Sequence, residues 1–209
     1  RMAETAKEKA EAELNFLKSQ INPHFLFNSI NSVYFLINKQ NQEARESLHK
    51  FSDMLRYQLY EVNGNRVTIE KEIRYLEDYV HLQKLRKDEQ YEVSFHYSPA
   101  VNGFTIEPLI LIPFVENAFE HVSAHAGQPN YIRINLDYNN GRFVFSAENS
   151  KEAKASTDAY SGIGLKNVKR RLELLYPGRY ELTIEDKAGS YKAELVLLLD
   201  KELQPQSTK

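Results

Sequence analysis

The chain has 209 residues, 42% of them apolar, enough for one large domain or two small ones with a real core. Lys+Arg of 27 against Asp+Glu of 29 leave a formal charge of −2, which gives nucleic acid or an anionic membrane no basic face to hold. Cysteine is absent, so disulfides, thiolate chemistry and cysteine metal sites are excluded.

The longest apolar run, Pro108 to Val115, falls far short of the roughly 20 residues that span a bilayer, and no secretory leader is visible. The composition reads as a soluble protein of a reducing compartment. Its start inside a charged helical stretch reads as a piece of something longer.

Residues 3–12 are rich in Ala, Glu and Lys, a strong helix-forming mixture with little to bury. Leu14, Leu17 and Ile21 then repeat at three and four, the seam of a helix that meets another helix. Pro23 removes one backbone hydrogen bond and predicts a kink just before His24. The apolar pattern resumes through Ile30, Val33, Tyr34 and Ile37 and stops in the polar run 38–42. A second helix is predicted over 43–62, ended by Asn63-Gly64-Asn65. The resulting antiparallel hairpin keeps an apolar stripe (Leu14, Leu17, Ile21, Leu48, Phe51, Leu55) that one copy cannot cover. This predicts a homodimer closing a four-helix bundle.

A third helix is predicted from Thr68, as N-cap, to about Lys87, with a domain boundary at about residue 88. Tyr91 to Tyr97 alternates as a strand, and 108–122 reads as a helix apolar nearly all round. Strands over 131–138 and 142–148 are joined by Asn139-Asn140-Gly141, a strong hairpin signal. Residues 150–161 are small, polar and unpatterned, as a mobile loop would be. A helix over 163–176 is stopped by Pro177-Gly178. Two strands, 180–185 and 191–199, and a frayed tail complete the chain. The order predicts an α+β protein of two domains, residues 1–88 and 89–203, with a tail over 204–209. The second domain is a sheet, mixed or antiparallel, with helices on one face.

Three stretches carry chemistry. INPHFLFN (21–28) places His24 in a helix, with Asn28 one turn further on. IPFVENAFEH (112–121) puts Glu116, Asn117, Glu120 and His121 in an otherwise buried helix, where polar groups need partners. SGIGLKNVKRRL (161–172) opens a helix with Gly162 and Gly164, whose backbone N–H groups suit an anion, beside Leu165 and the donors Lys166 and Asn167. Each alone has a structural explanation: a satisfied core histidine, a wet helix edge, a turn glycine.

Together, in this order and spacing, INPHFLFN, PFVENAFEH and GIGLKNVKRRL resemble the cytoplasmic catalytic part of sensor histidine kinases of the LytS/YehU type, from about Leu14 to Leu199. The resemblance implies a dimerising phosphoacceptor hairpin followed by a GHKL (Bergerat) α/β sandwich that binds ATP and Mg²⁺. It implies that His24 takes the γ-phosphoryl group, that Asn117 ligates Mg²⁺, and that Gly162 and Gly164 close a lid formed by 150–161. His121, Glu148, Asn149, Leu165, Lys166 and Asn167 would complete the nucleotide site. The partner would be a response regulator, of LytTR type by analogy, reached on the cytoplasmic side of a bacterial inner membrane. Any membrane attachment would lie upstream of Arg1.

The sequence departs from the family at three places. Glu148-Asn149-Ser150 stands where an aspartate accepts from the adenine amino group, with Glu148 in the carboxylate's place. Glu120 stands where a lysine approaches the phosphates. Phe25 follows His24 where many histidine kinases carry an acid. Neither Asn28 nor Phe25 is a strong base, so Glu116 or another group on the second domain is the better candidate to draw off the imidazole proton. Two other readings compete: a non-catalytic dimeric scaffold that signals by conformation, and a GHKL-type ATPase without phosphohistidine. A kinked INPHFLFN helix is of no use to the latter.

Overall fold

A computed structural model describes residues 23–62, 66–86, 91–124, 129–152 and 163–199. The chain divides into two compact units, Arg1–Asn63 and Gly64–Lys209. That division falls well before residue 88, where the change of periodicity predicts it, because the third helix spends its apolar face inside the second unit.

The first unit contains α1 (Pro23–Leu36) and α2 (Gln42–Arg56), and the latter runs into a π-helical turn, Tyr57–Glu61. The seam at Leu14, Leu17 and Ile21 and the kink ahead of Pro23 lie outside the described residues. Asn41 caps α2, its side-chain oxygen accepting from Ala44 N at 3.1 Å, so the polar connector is also the start signal. Where α2 widens, the Tyr57 N–H reaches both Asp53 O and Met54 O. Phe27 stacks on Tyr60 with ring centroids 6.1 Å apart, and the Arg56 and Arg45 guanidinium groups lie over Phe27 and Tyr34. Val33, Phe35, Leu36, Phe51 and Tyr60 remain exposed.

The second unit opens with β1 (Val67–Thr68), which pairs antiparallel with β3 (Thr105–Ile106). A two-residue ladder is too short for periodicity to signal, and it takes in Thr68, the expected N-cap. Helix α3 (Ile69–Arg86) then buries Ile69, Ile73, Tyr75, Leu76 and Val80. Its first turn is tied to the following loop: Ile69 N donates to Phe104 O at 2.9 Å and Gly103 N to Glu70 Oε1 at 2.7 Å. Glu72, fully buried, accepts from Leu109 N at 3.1 Å.

The main sheet contains β2 (Glu92–Tyr97), β4 (Tyr131–Asn139), β5 (Arg142–Ser150), β6 (Tyr180–Lys187) and β7 (Ser190–Leu198). Their order is β2-β4-β5-β7-β6, with β2–β4 parallel and the other pairs antiparallel. The sheet is therefore mixed, as the α+β reading expects. Asn140 and Gly141 form the β4–β5 turn with φ of 48° and 83°, the left-handed pair a two-residue hairpin requires.

Period-two alternation sets the faces. Ile132, Ile134 and Leu136 on β4, Phe143, Phe145, Ala147 and Asn149 on β5, and Tyr191, Ala193, Leu195 and Leu197 on β7 are all buried on one face. On the other face Arg133, Glu148, Lys192 and Glu185 stand opposite one another across four strands, alternating in sign.

Helix α4 (Ile112–His121) packs on β4 and β5, with Phe114 and Phe145 rings 5.9 Å apart. Its neighbours are α3, through Tyr79 against Phe119, and α5 (Ile163–Leu175). Helix α4 starts at Ile112 rather than Pro108, and the reason is tertiary. Arg171 of α5 donates through both terminal nitrogens, to Leu109 O and Pro108 O at 3.0 Å each, while Glu72 holds Leu109 N. Leu109 is thereby set at φ 55°.

Ser150, expected to begin the mobile loop, ends β5 and is buried, as is Lys151. The rest of that loop from residue 153, with Gly162, and the tail from residue 200 lie outside the described residues.

Candidate nucleotide and phosphoacceptor sites

Helix α4 presents a polar edge on an otherwise apolar cylinder. Ile112, Phe114, Val115, Ala118 and Phe119 are buried, Asn117 and His121 half-buried, Glu116 and Glu120 exposed. The three- and four-residue spacing puts Asn117 and His121 on one stripe, nearer the sheet, and the two glutamates on the next. Partial desolvation of the carboxyl by the neighbouring protein, and then the Glu120 charge, raise the Glu116 carboxyl above its ordinary value, so it holds a proton more firmly than a free glutamate.

The C-terminal end of α4 is bound to the end of β5 by a buried polar network. Ser123 N donates to Ser150 O at 2.8 Å, and Ser123 Oγ lies 2.7 Å from both Asn130 Oδ1 and Ser150 Oγ. Tyr131 N donates to Ser150 Oγ at 2.9 Å. Asn149, with no exposed surface, donates through Nδ2 to His121 O at 3.2 Å and to Ser150 O at 3.0 Å. Two carbonyl acceptors fix its amide nitrogen, so Oδ1 points the other way. That oxygen is buried and has no hydrogen-bond partner. A buried acceptor left open is uncommon enough to require an explanation.

Glu148 is not part of this cluster. Register puts it opposite Arg133, on the sheet face away from α4. There it accepts from Tyr131 Oη at 2.7 Å and lies 3.8 Å from Arg133 Nη1. The expectation that Glu148 takes the aspartate's place is corrected: its neighbour Asn149 faces the helices. The signal was in the sequence. Counting by two from Phe143 through Phe145 and Ala147 reaches Asn149, not Glu148.

Gly164 lies in the first turn of α5, followed by half-buried Leu165 and exposed Lys166 and Asn167. Leu165 and Lys166, with Lys169, Leu182, Ile184, Asp186 and Tyr191, line an open cleft of about 350 Å³ between α5 and the β6–β7 hairpin. Lys151, unremarked in the sequence, pairs with Asp186 at its edge. Burial, and then Asp186, push the Tyr191 phenol up to about 12. Arg171 and the Ser123–Asn130–Ser150 network were also missed. Their partners are backbone atoms or distant in sequence, and spacing does not report either.

In the first unit, His24 is exposed on α1 and meets the Asn28 amide one turn along, Nδ2 lying 3.2 Å from Nδ1 and 3.5 Å from Nε2. Among the described residues no group of three or more His, Cys, Asp or Glu side chains could hold a metal ion by itself. No described helix is long and apolar enough to cross a membrane.

Residues 12–91 match a family model described as histidine kinase. The sensor protein LytS of Staphylococcus saprophyticus is 32% identical over 189 residues, which are 84% of this chain and 31% of that protein. LytS of Enterococcus faecalis is 27% identical over 205 residues, 92% of this chain and 35% of that protein. The chain thus spans about a third of the curated relatives it matches.

Among solved structures, the histidine kinase AdeS of Acinetobacter baumannii shares 10% identity at a TM-score of 0.50, covering 88% of this chain and 98% of that one. The histidine kinase domain of Erythrobacter litoralis EL346 shares 12% at a TM-score of 0.51, covering 84% and 96%. At such identities the likeness is one of fold. Sequence kinship along most of the chain, the order of the three motifs and the shared fold together make this chain a member of the LytS-type sensor histidine kinase family, corresponding to its catalytic region.

Proposed function

We propose that this region transfers the γ-phosphoryl group of ATP to His24 and passes it on to an aspartate of a response regulator, as part of a two-component system. The observation that carries the nucleotide reading is the buried, unpartnered Oδ1 of Asn149 beside the polar edge of α4. An exocyclic amino group, such as that of adenine, supplies the donor this acceptor lacks. Full-length ShkA, solved in complex with AMPPNP, shares the fold at a TM-score of 0.50 and 14% identity, covering 85% of this chain and 44% of that one.

In this reading Asn149 takes the base and Asn117 offers its amide oxygen to Mg²⁺. Gly164, with Gly162, presents backbone N–H groups to the phosphates at the start of α5, with Lys166 and Asn167 as further donors. His121 lines the same stripe as Asn117. Mg²⁺, when bound, neutralises phosphate charge and takes hard oxygen ligands such as that amide. Glu116 receives the imidazole proton. The chain works as a homodimer through its first unit. The regulator is of LytTR type.

Incubation with γ-labelled ATP and Mg²⁺ tests the reading. Acid-labile, alkali-stable label is expected on His24 and none in His24→Gln, while Asn117→Asp and Asn149→Ala are expected to weaken ATP binding in calorimetry. Label that persists without His24, or ATP affinity unchanged in both amide variants, would overturn it.

A further inference from the structure

Asn149 has a direction as well as a place, and its consequence rests on ATP being the ligand of the site. A side-chain amide accepts at one end and donates at the other, and its neighbours decide which end faces where. Carbonyl oxygens accept and cannot donate. Asn149 Nδ2 lies 3.2 Å from His121 O and 3.0 Å from Ser150 O. A half-turn of the amide would set Oδ1 against both, replacing two hydrogen bonds by two contacts between oxygens. The amide is therefore locked, and Oδ1 is a one-way acceptor. That oxygen is buried and unpartnered among the described residues, on a side chain with no exposed surface.

The same two carbonyls favour an amide over a carboxylate. His121 ends α4, and the last carbonyls of a helix have no partner within it and carry its partial negative charge. The Asn149 amide satisfies one of them. Ser150 O also accepts from Ser123 N at 2.8 Å, which ties the lock to the buried serine network. A carboxylate here would hold an oxygen where Nδ2 stands. That oxygen would face two carbonyls and the negative end of α4 with no proton to share. The pocket around Asn149 thus suits asparagine and not the aspartate that the family resemblance leads one to expect.

We propose that Asn149 determines base specificity, reading a purine by its 6-amino group and rejecting a 6-oxo group. A 6-amino group donates to Oδ1. A 6-oxo group presents a second acceptor to it, and the amide cannot turn to answer because Nδ2 is engaged. The reading is made by a neutral group, so it carries no charge toward the phosphates. The helix that holds the amide in place is the one that carries Asn117, so base selection and the α4 end form one unit.

The test titrates the whole 209-residue chain, with Mg²⁺ present, with ATP, inosine triphosphate and the triphosphate of purine riboside in calorimetry. The three differ at C6, which bears an amino group, an oxygen and a hydrogen respectively. The inosine and purine nucleotides are expected to bind roughly ten- to hundredfold more weakly than ATP. Asn149→Ala is expected to bring the three affinities together, a loss of selectivity that a purely structural residue would not produce. Asn149→Asp is expected to bind ATP more weakly than wild type by roughly tenfold or more, despite restoring an acceptor. Equal wild-type affinity for ATP and the purine riboside triphosphate, or an aspartate variant that matches wild type, would overturn the proposal. Where circular dichroism shows a variant unfolded, the wild-type comparison decides alone. A wild-type chain that binds none of the three would sink the nucleotide reading, and this proposal with it.

Discussion

The two units bury their apolar residues very differently. Among the residues of 23–62 whose burial is described, Ile30 and Tyr57 alone are buried, while Phe35 and Leu36 are 82% and 84% exposed. From residue 66 onward buried apolar side chains recur on all three helices and on every strand except the two edges of the main sheet, β2 and β6, and the loops are held by charged groups aimed at backbone atoms. The hairpin is specified by local signals and leaves its apolar faces for another surface. The second unit is specified by tertiary contacts and closes on itself. A helix pair can thus show its described helices in local sequence signals and still lack a reason to be stable alone.

The largest expected effect separates the units outright. A fragment of residues 64–199 is expected to unfold cooperatively in urea and to remain monomeric. One of residues 89–199, cut at the boundary that periodicity predicts, loses α3 and its five buried apolar side chains. At ~1.5–3 kcal/mol for each such side chain, the loss matches the whole stability of a typical domain. The shorter fragment is expected to show no cooperative transition. A fragment of residues 1–63 should lose helical circular dichroism on dilution, as an assembly does. Equal stability of the two longer fragments would erase the contrast.

Next in size is the Arg171 clasp. Arg171→Ala removes two charge-assisted bonds and leaves two carbonyls unmet, an expected loss of ~2–4 kcal/mol in chemical denaturation. Arg171→Lys should recover little, because an ammonium cannot fork between two acceptors. Gly141→Ala follows at ~1–3 kcal/mol, since the turn needs φ of 83° and a Cβ there would stand 2.9 Å from Leu199 O.

The smallest effects test the faces of the sheet. Glu148→Gln is expected to cost less than ~1 kcal/mol, as exposed ion pairs do, and to leave ATP affinity unchanged. A loss of ATP affinity would return the base-reading role to Glu148. Tyr191 gives a pH signature. Its folded pKa of about 12 lies above the unfolded value of 10, so the unfolded chain releases the proton first. Its contribution to stability is full below pH 10 and falls as pH rises from 10 toward 12. Tyr191→Phe is expected to flatten that decline, measured by urea midpoints across the window.

What sequence could and could not convey follows the same division. The starts of α2 and α5, the Asn140-Gly141 turn and strand alternation are local, and they were legible. So was the α+β class, because the order of elements allows few arrangements. The family was legible too, from the resemblance of three spaced stretches. Three features were not. Thr68 went into a two-residue ladder whose other half lies at Thr105. Pro108 to Leu111 was drawn out of the helix by Glu72 and Arg171, both remote in sequence. Ser150 and Lys151 read as loop because they are polar, while their partners Ser123, Tyr131 and Asp186 make their burial possible. The misplacement of Glu148 was of another kind, since its charge drew attention away from a parity already visible in the strand.

The parallel pairing of β2 with β4 bears on the order in which the second unit assembles. Strands β4 and β5 are joined by a two-residue turn, and β6 and β7 by a tight one, so each hairpin is expected to close within microseconds. Strand β2 cannot join so cheaply. Its partner lies beyond the whole of β3 and α4, and closing a longer loop costs more chain entropy before any contact rewards it. Seating β2 also returns the intervening chain across the sheet, so α4 is expected to reach its place in the same late step. The helix that carries Glu116, Asn117 and His121 is then fixed not by its own propensity but by the last strand to arrive. A variant that weakened the β2 edge should fold with normal hairpins and an unformed site, visible as native-like strand signals without ATP binding.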